Sequence, residues 1–192
     1  MANLPITNFW QQPSNPVEQL FWGRANIEFG AAFLYFEKGS KFQNIFHELK
    51  YHGKKDVGVF MGKLFGRKLA DSRFRSVDLL LPVPLHKSRM NQRGYNQSEC
   101  IAQGISEIML KPIDNNSVIR KKATSTQTSR SRYDRWLNVE RIYECKNPHL
   151  LENKHVLLID DIITTGATTE SLIQEISAIK GIKVSVATLA IA

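Results

Sequence analysis

Two adjacent carboxylates, Asp160 and Asp161, have residue types and a position that suit ligand chemistry. They directly follow residues 156–159 (Val-Leu-Leu-Ile), and such an apolar run is typical of a strand buried on both faces of a parallel sheet. In open α/β sheets, ligands bind outside the carboxyl ends of the strands. The sequence therefore predicts that this acidic pair stands at a ligand-binding edge.

A short turn rich in hydroxyl groups follows the acids. Its members are Ile163, Thr164, Thr165, Gly166, Ala167 and Thr168. Leu172, Ile173 and Ile176 then recur at helical spacing, so a helix N-terminus is expected behind the turn, and backbone N–H groups in such a place attract phosphate. The turn has neither the lysine of the GxxxxGK[ST] loop nor the GxGxxG spacing. Carboxylates beside a phosphate-binding turn suit a sugar phosphate. The alternative is a buried strand followed by a threonine-capped helix with no ligand.

A second predicted strand, residues 77–81, ends in a basic loop. Pro82 and Pro84 stop this strand, and the loop at residues 85–97 carries His86, Lys87, Arg89 and Arg93. If the two strands are parallel, both loops lie on one edge of the sheet, where cations and N–H donors would compensate a pyrophosphate. The alternative is a solvated basic turn.

A third polar stretch, residues 123–135, is rich in Ser, Thr and Arg and has no apolar periodicity. Its notable side chains are Gln127, Arg130, Arg132 and Arg135. This composition predicts an exposed, mobile loop. Two functional interpretations remain open: a lid that closes over an anionic substrate, or a contact with nucleic acid.

Composition sets the class of protein. The 192 residues suffice for one domain with a sizeable core, and the net charge of +8 favours an anionic ligand, either phosphates or nucleic acid. No apolar stretch is long enough to span a membrane, and the amino end lacks the pattern of a signal peptide, so a cytoplasmic location is predicted. Cys100 and Cys145 have no CxxC partner, which argues against a disulfide framework or a thiolate zinc site.

Apolar runs and helical spacings alternate along the rest of the chain, which predicts an α/β sheet. Further strands are expected at residues 27–36 (with a hairpin as the alternative), 118–122 and 184–191. Helices with one buried face are expected around Phe42, Ile45, Phe46 and Leu49; around Val57, Phe60, Met61, Leu64 and Leu69; and around Ile101, Ile105, Ile108 and Met109. The aromatic side chains expected to pack the irregular amino end on the domain are Trp10, Phe21 and Trp22.

Residues 156–169 resemble the phosphoribosyl pyrophosphate (PRPP) motif of type I phosphoribosyltransferases. In that family the paired acids bind the ribose 2′- and 3′-hydroxyls, and the loop that follows holds the 5′-phosphate. The resemblance implies that Asp160 and Asp161 bind ribose and act in catalysis, while residues 163–168 bind the 5′-phosphate.

Three stretches narrow the resemblance to the ComF/GntX branch of this superfamily. They are Leu49-Lys50-Tyr51; Pro82-Val83-Pro84-Leu85-His86 leading to Arg93-Gly94-Tyr95-Asn96-Gln97; and Gln127 with Arg132, Arg135 and Asn138. The resemblance runs from about residue 27 to residue 192, and members are named for a role in natural DNA uptake. Two departures are the missing four-cysteine zinc module and Arg130, which stands where the family has an apolar residue.

The resemblance implies an α/β fold with a central five-stranded parallel sheet, flanking helices and a small hood. Residues 1–39 are expected to form an irregular or hairpin segment of the hood. Residues 40–192 are expected to form the phosphoribosyltransferase-like core, with a flexible loop at about residues 123–138.

The implied activity is transfer of phosphoribosyl from PRPP to an unidentified acceptor, with release of pyrophosphate. Mg²⁺ is expected mainly through PRPP, with no direct protein ligand assigned. Pyrophosphate is expected to lie against Pro84, Leu85, His86, Arg89 and Arg93. The lid is expected to contribute Gln127, Arg132 and Arg135. The alternative is a non-catalytic module that binds PRPP or nucleic acid in DNA uptake.

Overall fold

A computed structural model of the chain describes residues 4–36, 39, 54–121 and 142–192. Several predicted features lie outside these residues, including the Leu49-Lys50-Tyr51 stretch and Asn138, and two of them concern structure. One is the helix around Phe42, Ile45, Phe46 and Leu49, and the other is the arginine-rich loop with Gln127, Arg130, Arg132 and Arg135.

Parallel strands form the main sheet. The strands are β1 (Gly30–Tyr35), β2 (Leu79–Pro82), β3 (Val118–Arg120), β4 (Tyr143–Cys145), β5 (His155–Ile163) and β6 (Lys183–Ile191). The main sheet has the order β1-β6-β5-β2, and β3 and β4 form a separate antiparallel pair. Beyond β2 there is a single isolated parallel bridge, between Leu80 and Ile113. The described main sheet thus has four strands rather than the expected five, because the strand expected at residues 118–122 pairs with β4 instead. The predicted α/β fold with a parallel sheet is confirmed.

Helices connect and flank these strands. They are α1 (Pro16–Gln19), α2 (Lys55–Ala70), α3 (Lys87–Arg93), α4 (Gln97–Met109) and α5 (Ala167–Ile176). Helices α2 and α4 pack unusually closely, because a glycine on each helix lies against the backbone of the other. A Cβ at Gly62 would lie 2.2 Å from the Ile101 carbonyl oxygen, and one at Gly104 would lie 2.1 Å from the Val59 carbonyl oxygen. This contact fixes α4, whose amino end reaches the candidate site.

The apolar runs form the core, as their patterns predict. Residues 156–159 of β5 are all fully buried, and β6 is buried from residue 184 to residue 190. Two aromatic side chains that were expected to pack are instead exposed: Trp22 is 63% exposed and Phe60 is 60% exposed. Met61 and Leu69 of the predicted face of α2 are buried, but the buried face continues through Phe65 and the glycines of the helix, and Phe60 lies outside it.

The amino-terminal segment is tied to the sheet. Its strand β1 pairs with β6 as a single strand rather than a hairpin. The Asn15 amide donates to the Gly30 carbonyl at 2.8 Å, and Phe9, Trp10 and Phe21 are buried. The predicted assignment of residues 1–39 to a hood stays a prediction, although part of this stretch lies in the main sheet. In the described ranges, no helix has both the length and the apolar character that a membrane crossing requires.

Candidate active site

The acidic pair stands where β5 extends beyond its neighbour β2. The last paired residue of β2, Pro82, lies opposite Ile159, and the Val83 N–H still donates to the Ile159 carbonyl at 2.9 Å. Pro84 has no N–H with which to continue this ladder. The prediction that β5 ends at residue 159 is wrong, because pairing with β6 continues to Ile163. The acids nevertheless lie toward the carboxyl end of the sheet, beyond the point where β2 stops pairing with β5.

An open cavity of about 230 Å³ lies at this edge. The predicted site residues that line it are Pro84, Leu85, Arg89, Arg93, Asp160, Asp161 and Thr168. Residues that the sequence reasoning had not assigned to the site also line it: Val83, Gln97, Ser98, Arg120 and Ile162. The two strand-end loops therefore meet at one cavity, and it carries both carboxylates and guanidinium groups.

Several predicted site residues do not line this cavity: His86, Ile163, Thr164, Thr165, Gly166 and Ala167. The His86 ring instead caps α3, where its Nδ1 accepts a hydrogen bond from the Ser88 N–H at 3.2 Å. Ile163 is buried at the end of β5. Thr164, Thr165 and Gly166 form the turn that leads into α5, and Ala167 is the first residue of that helix, directly before the cavity-lining Thr168.

The basic segment contains a helix that the sequence did not predict. Residues 87–93 form α3, which begins at its His86 cap and ends at Gly94 in a left-handed conformation with φ 76°. Asn96 then caps α4: its side chain accepts from the Ser98 N–H at 3.1 Å and donates to the Val83 carbonyl at 3.0 Å. This arrangement joins the end of β2 to the amino end of α4 and so shapes one wall of the cavity.

Arg93 carries a buried donor beside the cavity. Its Nη1 donates to the Gln97 side-chain oxygen at 3.1 Å, whereas its buried Nε has no hydrogen-bond partner within the described residues. Buried polar groups in folded proteins are normally satisfied. An unsatisfied guanidinium N–H in the wall of a cavity suits an anionic ligand.

Hydrogen bonds orient both carboxylates. Oδ1 of Asp160 accepts from the Ser98 hydroxyl at 3.0 Å and from the Asp161 N–H at 2.9 Å. Oδ1 of Asp161 accepts from the Ile162 N–H at 2.7 Å. Oδ1 of Asp160 is therefore held by two donors and Oδ1 of Asp161 by one, which presets the direction in which each carboxylate faces.

Strand β3 supplies a cation for which the sequence predicts no role in the site. Arg120 lines the cavity, and its guanidinium lies 5.7 Å from the centroid of the Tyr143 ring. Tyr143 is buried, and burial raises its pKa to about 12; the charge of Asp160 adds to this rise, whereas Arg120 opposes it. No regular spacing links Arg120 to either strand-end loop, so only the tertiary fold could reveal it.

The turn before α5 has the features of an anion-binding loop. Gly166 adopts a left-handed conformation with φ 75° and caps α5, and the exposed residues around it are Thr164, Thr165, Ala167 and Thr168. A helix N-terminus carries partial positive charge and unpaired N–H groups. The arrangement therefore offers donors to a phosphate next to the acidic pair.

Asp160 and Asp161 fit one mode of magnesium binding. Within the described ranges, no cluster of three or more His, Cys, Asp or Glu side chains could hold a metal ion. Mg²⁺ is usually bound by one or two carboxylates together with substrate phosphates rather than by an all-protein cage. The acidic pair suits that arrangement.

The chain is similar to proteins named for DNA use and competence. It is 29% identical over 135 residues to the DNA utilization protein YhgH of Escherichia coli (strain K12), covering 68% of this chain and 58% of that protein. It is 35% identical over 96 residues to competence protein F of Haemophilus influenzae, covering 50% of this chain and 42% of that protein. Competence protein ComFC of Bacillus subtilis is 33% identical over 107 residues, covering 54% and 38%. The chain thus spans 58% or less of the length of these relatives.

Solved structures share the fold. Glutamine PRPP amidotransferase from Bacillus subtilis matches with a TM-score of 0.52 and 20% identity, covering 74% of this chain and 30% of that one. A second structure, an allosteric regulatory enzyme of purine biosynthesis, matches with a TM-score of 0.50 and 20% identity. No protein-family model matches the chain. The predicted resemblance to ComF-type proteins and the predicted phosphoribosyltransferase-like fold are confirmed.

Proposed function

We propose that this relative of the ComF-type proteins binds PRPP with Mg²⁺ and transfers the phosphoribosyl group to an acceptor, releasing pyrophosphate. One observation carries the proposal: the acids Asp160 and Asp161 and the cations Arg89 and Arg93 line the same cavity. A ligand with sugar hydroxyls at one end and a pyrophosphate at the other matches this division of charge.

The ribose end of PRPP lies against the acids and the turn that follows them. Asp160 and Asp161 accept hydrogen bonds from the ribose 2′- and 3′-hydroxyls. The 5′-phosphate binds at the N-terminus of α5, where backbone N–H groups and the hydroxyls of Thr165 and Thr168 are available as donors. The absence of a lysine in this turn leaves the phosphate to neutral donors and the helix dipole.

The pyrophosphate end lies against the basic wall. Arg93 Nε has no hydrogen-bond partner in the described part of the chain, Arg89 is exposed at the cavity, and Arg120 adds a further guanidinium from β3. Guanidinium groups match phosphate oxygens in geometry and charge. Asp160 and Asp161, the carboxylates that line the cavity, would hold Mg²⁺ together with PRPP, and the metal would supply positive charge to stabilise the departing pyrophosphate.

The residues stabilise charge that develops during transfer. The bond between the anomeric carbon and the pyrophosphate oxygen breaks, and a bond from the acceptor to that carbon forms. Positive charge builds on the ribose, so the carboxylates of Asp160 and Asp161 stabilise it electrostatically. The arginines stabilise the leaving group, and the bonding electron pair departs with pyrophosphate.

A product screen tests the transfer. The protein is incubated with PRPP, Mg²⁺ and a panel of nucleobases, and products are identified by mass spectrometry. The proposal predicts a phosphoribosylated product together with pyrophosphate, and it predicts that both disappear in Asp160→Asn and Asp161→Asn. PRPP loss at the same rate in the native protein and these variants would count against transfer.

A second candidate function is nucleic-acid binding. It is favoured by the names of the relatives, DNA utilization protein and competence protein, and by the net charge of +8. Binding to single-stranded DNA that weakens with salt, and weakens further when Arg130, Arg132 and Arg135 are replaced by alanine, supports this role. No affinity for DNA at low salt eliminates it.

A further inference from the structure

The amino-terminal segment contacts the turn between β5 and α5 through two side chains. Arg24 donates from Nη1 to the Thr165 carbonyl at 2.8 Å and forms an ion pair through Nη2 with Glu170 in the first turn of α5. The ring of Phe21 packs on Gly166, where a Cβ would lie 3.4 Å from the ring. One guanidinium thus joins the turn to the helix behind it.

Arg24 is itself held in place. Its N–H donates to the Phe21 carbonyl at 2.9 Å, and its Nη1 also donates to the Leu20 carbonyl at 3.0 Å. Phe21 is fully buried, which fixes the backbone from which Arg24 extends. The guanidinium is therefore presented to the Thr165 carbonyl by a packed segment rather than by a free chain end.

The contact with the Thr165 carbonyl has a consequence for the next N–H. The Thr165 C=O and the Gly166 N–H belong to one planar trans peptide, so they point in opposite directions. With Arg24 on the carbonyl side, the Gly166 N–H points away from the amino-terminal segment. A charged donor on the carbonyl also polarises the peptide and strengthens its N–H as a donor.

We infer that Arg24 is a positioning residue for phosphate: it fixes and polarises the Thr165–Gly166 peptide so that the Gly166 N–H serves the 5′-phosphate of the ligand. The inference rests on the proposed function. Through Arg24 the amino-terminal segment thus supports the phosphate-binding turn, although Arg24 does not line the cavity. Arg24 acts through the peptide and does not itself touch the ligand.

If the Arg24–Glu170 ion pair served only to stabilise the fold, its loss would appear as a change in melting temperature. The side chains of Arg24 and Glu170 are 39% and 20% exposed, and ion pairs at such a surface contribute little to overall stability. Arg24→Ala should therefore leave the melting temperature nearly unchanged. Its effect should appear in the turn.

The first measurement needs no ligand. Hydrogen–deuterium exchange of the native protein, Arg24→Ala and Arg75→Ala is compared in peptides that cover residues 164–170. Arg75 is an exposed arginine in the 3₁₀-helix Arg73–Ser76, so its replacement makes the same change of charge away from the turn. We expect exchange about tenfold faster in Arg24→Ala alone, because the guanidinium that holds the Thr165 carbonyl is lost. Unchanged exchange overturns the inference.

The second measurement separates the two ends of the ligand by calorimetry. Arg24→Ala should weaken binding of ribose 5-phosphate about tenfold while leaving binding of pyrophosphate unchanged, and Arg75→Ala should alter neither. Equal affinity of the native protein and Arg24→Ala for ribose 5-phosphate overturns the inference alone. No binding of ribose 5-phosphate or PRPP by the native protein overturns the proposed function, and the phosphate role of Arg24 with it.

Discussion

The hydroxyl of Ser98 donates a hydrogen bond to Oδ1 of Asp160 across 3.0 Å. Ser98 lies in the first turn of α4, and Asp160 lies near the end of β5. This bond connects α4, which follows the arginine-bearing helix α3, to the acidic pair. The orientation of Asp160 therefore depends on the placement of α4 as well as on its own strand.

Replacing Ser98 by alanine should misorient Asp160 without unfolding the protein. A hydrogen bond to a charged group contributes about 1.5–3 kcal/mol, so we expect PRPP affinity to fall about tenfold or more. Calorimetry with PRPP and Mg²⁺ measures it. Ser106→Ala is the matched control, because Ser106 lies two turns further along α4, where its hydroxyl donates to the Lys111 carbonyl at 2.6 Å. An equal loss in both variants would show that the effect is not specific to Asp160.

Arg93 should be needed for pyrophosphate. Its Nε has no partner within the described residues, and its Nη1 bonds Gln97 at the cavity wall. Arg93→Gln removes the charge, and we expect pyrophosphate affinity to fall at least tenfold because charge-assisted bonds to phosphate are lost. Arg67→Gln, an exposed arginine in the last turn of α2, serves as the control. If pyrophosphate binds Arg93→Gln as tightly as the native protein, the assignment of the basic wall is wrong.

The close approach of α2 and α4 should not tolerate a methyl group at Gly62. Alanine is favoured over glycine inside a helix by about 1 kcal/mol, but a Cβ here would lie 2.2 Å from the Ile101 carbonyl oxygen. Overpacking costs about 1–3 kcal/mol, so we expect Gly62→Ala to lower the free energy of unfolding. Gly66→Ala, whose nearest contacts are 3.1 Å, should cost less. Chemical denaturation measures both, and a stabilised Gly62→Ala would contradict the packing.

His155 should make stability depend on pH. Burial lowers the pKa of His155, and its Nε2 lies 2.8 Å from the Ser185 hydroxyl. A histidine whose folded pKa lies below its unfolded pKa binds protons more readily when unfolded, so falling pH favours unfolding. The loss begins near the unfolded pKa of about 6.5 and continues down to the lower folded pKa.

Denaturation of the native protein and His155→Gln between pH 7.5 and pH 5 checks this sign. The native protein should lose more stability than the variant across that interval. Parallel curves for the two proteins would show that His155 does not titrate differently on folding.

The core and the acidic edge could be predicted from sequence because their patterns are local. The unbroken apolar run at residues 156–159 predicts a buried parallel strand. The two carboxylates directly after it are then expected at the carboxyl end of the strand, where ligands bind. The basic segment at residues 85–97 could be placed on the same edge because the strand before it, β2, is also a mainly apolar run.

Other features depend on contacts that no local pattern encodes. Residues 87–93 have no apolar periodicity, and their helix is set by the His86 cap and the left-handed Gly94. Arg120 reaches the cavity from β3, which pairs with β4, a strand that the sequence does not predict. The spacing of Phe60 predicts a buried side chain, but the face of α2 that packs on α4 is centred on its glycines and leaves Phe60 exposed.

The central claim is that one cavity holds PRPP between the acidic pair and the basic wall, and calorimetry with PRPP and Mg²⁺ tests it most directly. The account predicts binding by the native protein, at least tenfold weaker binding by Asp160→Asn and by Asp161→Asn, and unchanged binding by Asp71→Asn, an exposed acid at the end of α2 that gives the same change of charge. No binding by the native protein, or equal binding by all four proteins, would contradict it.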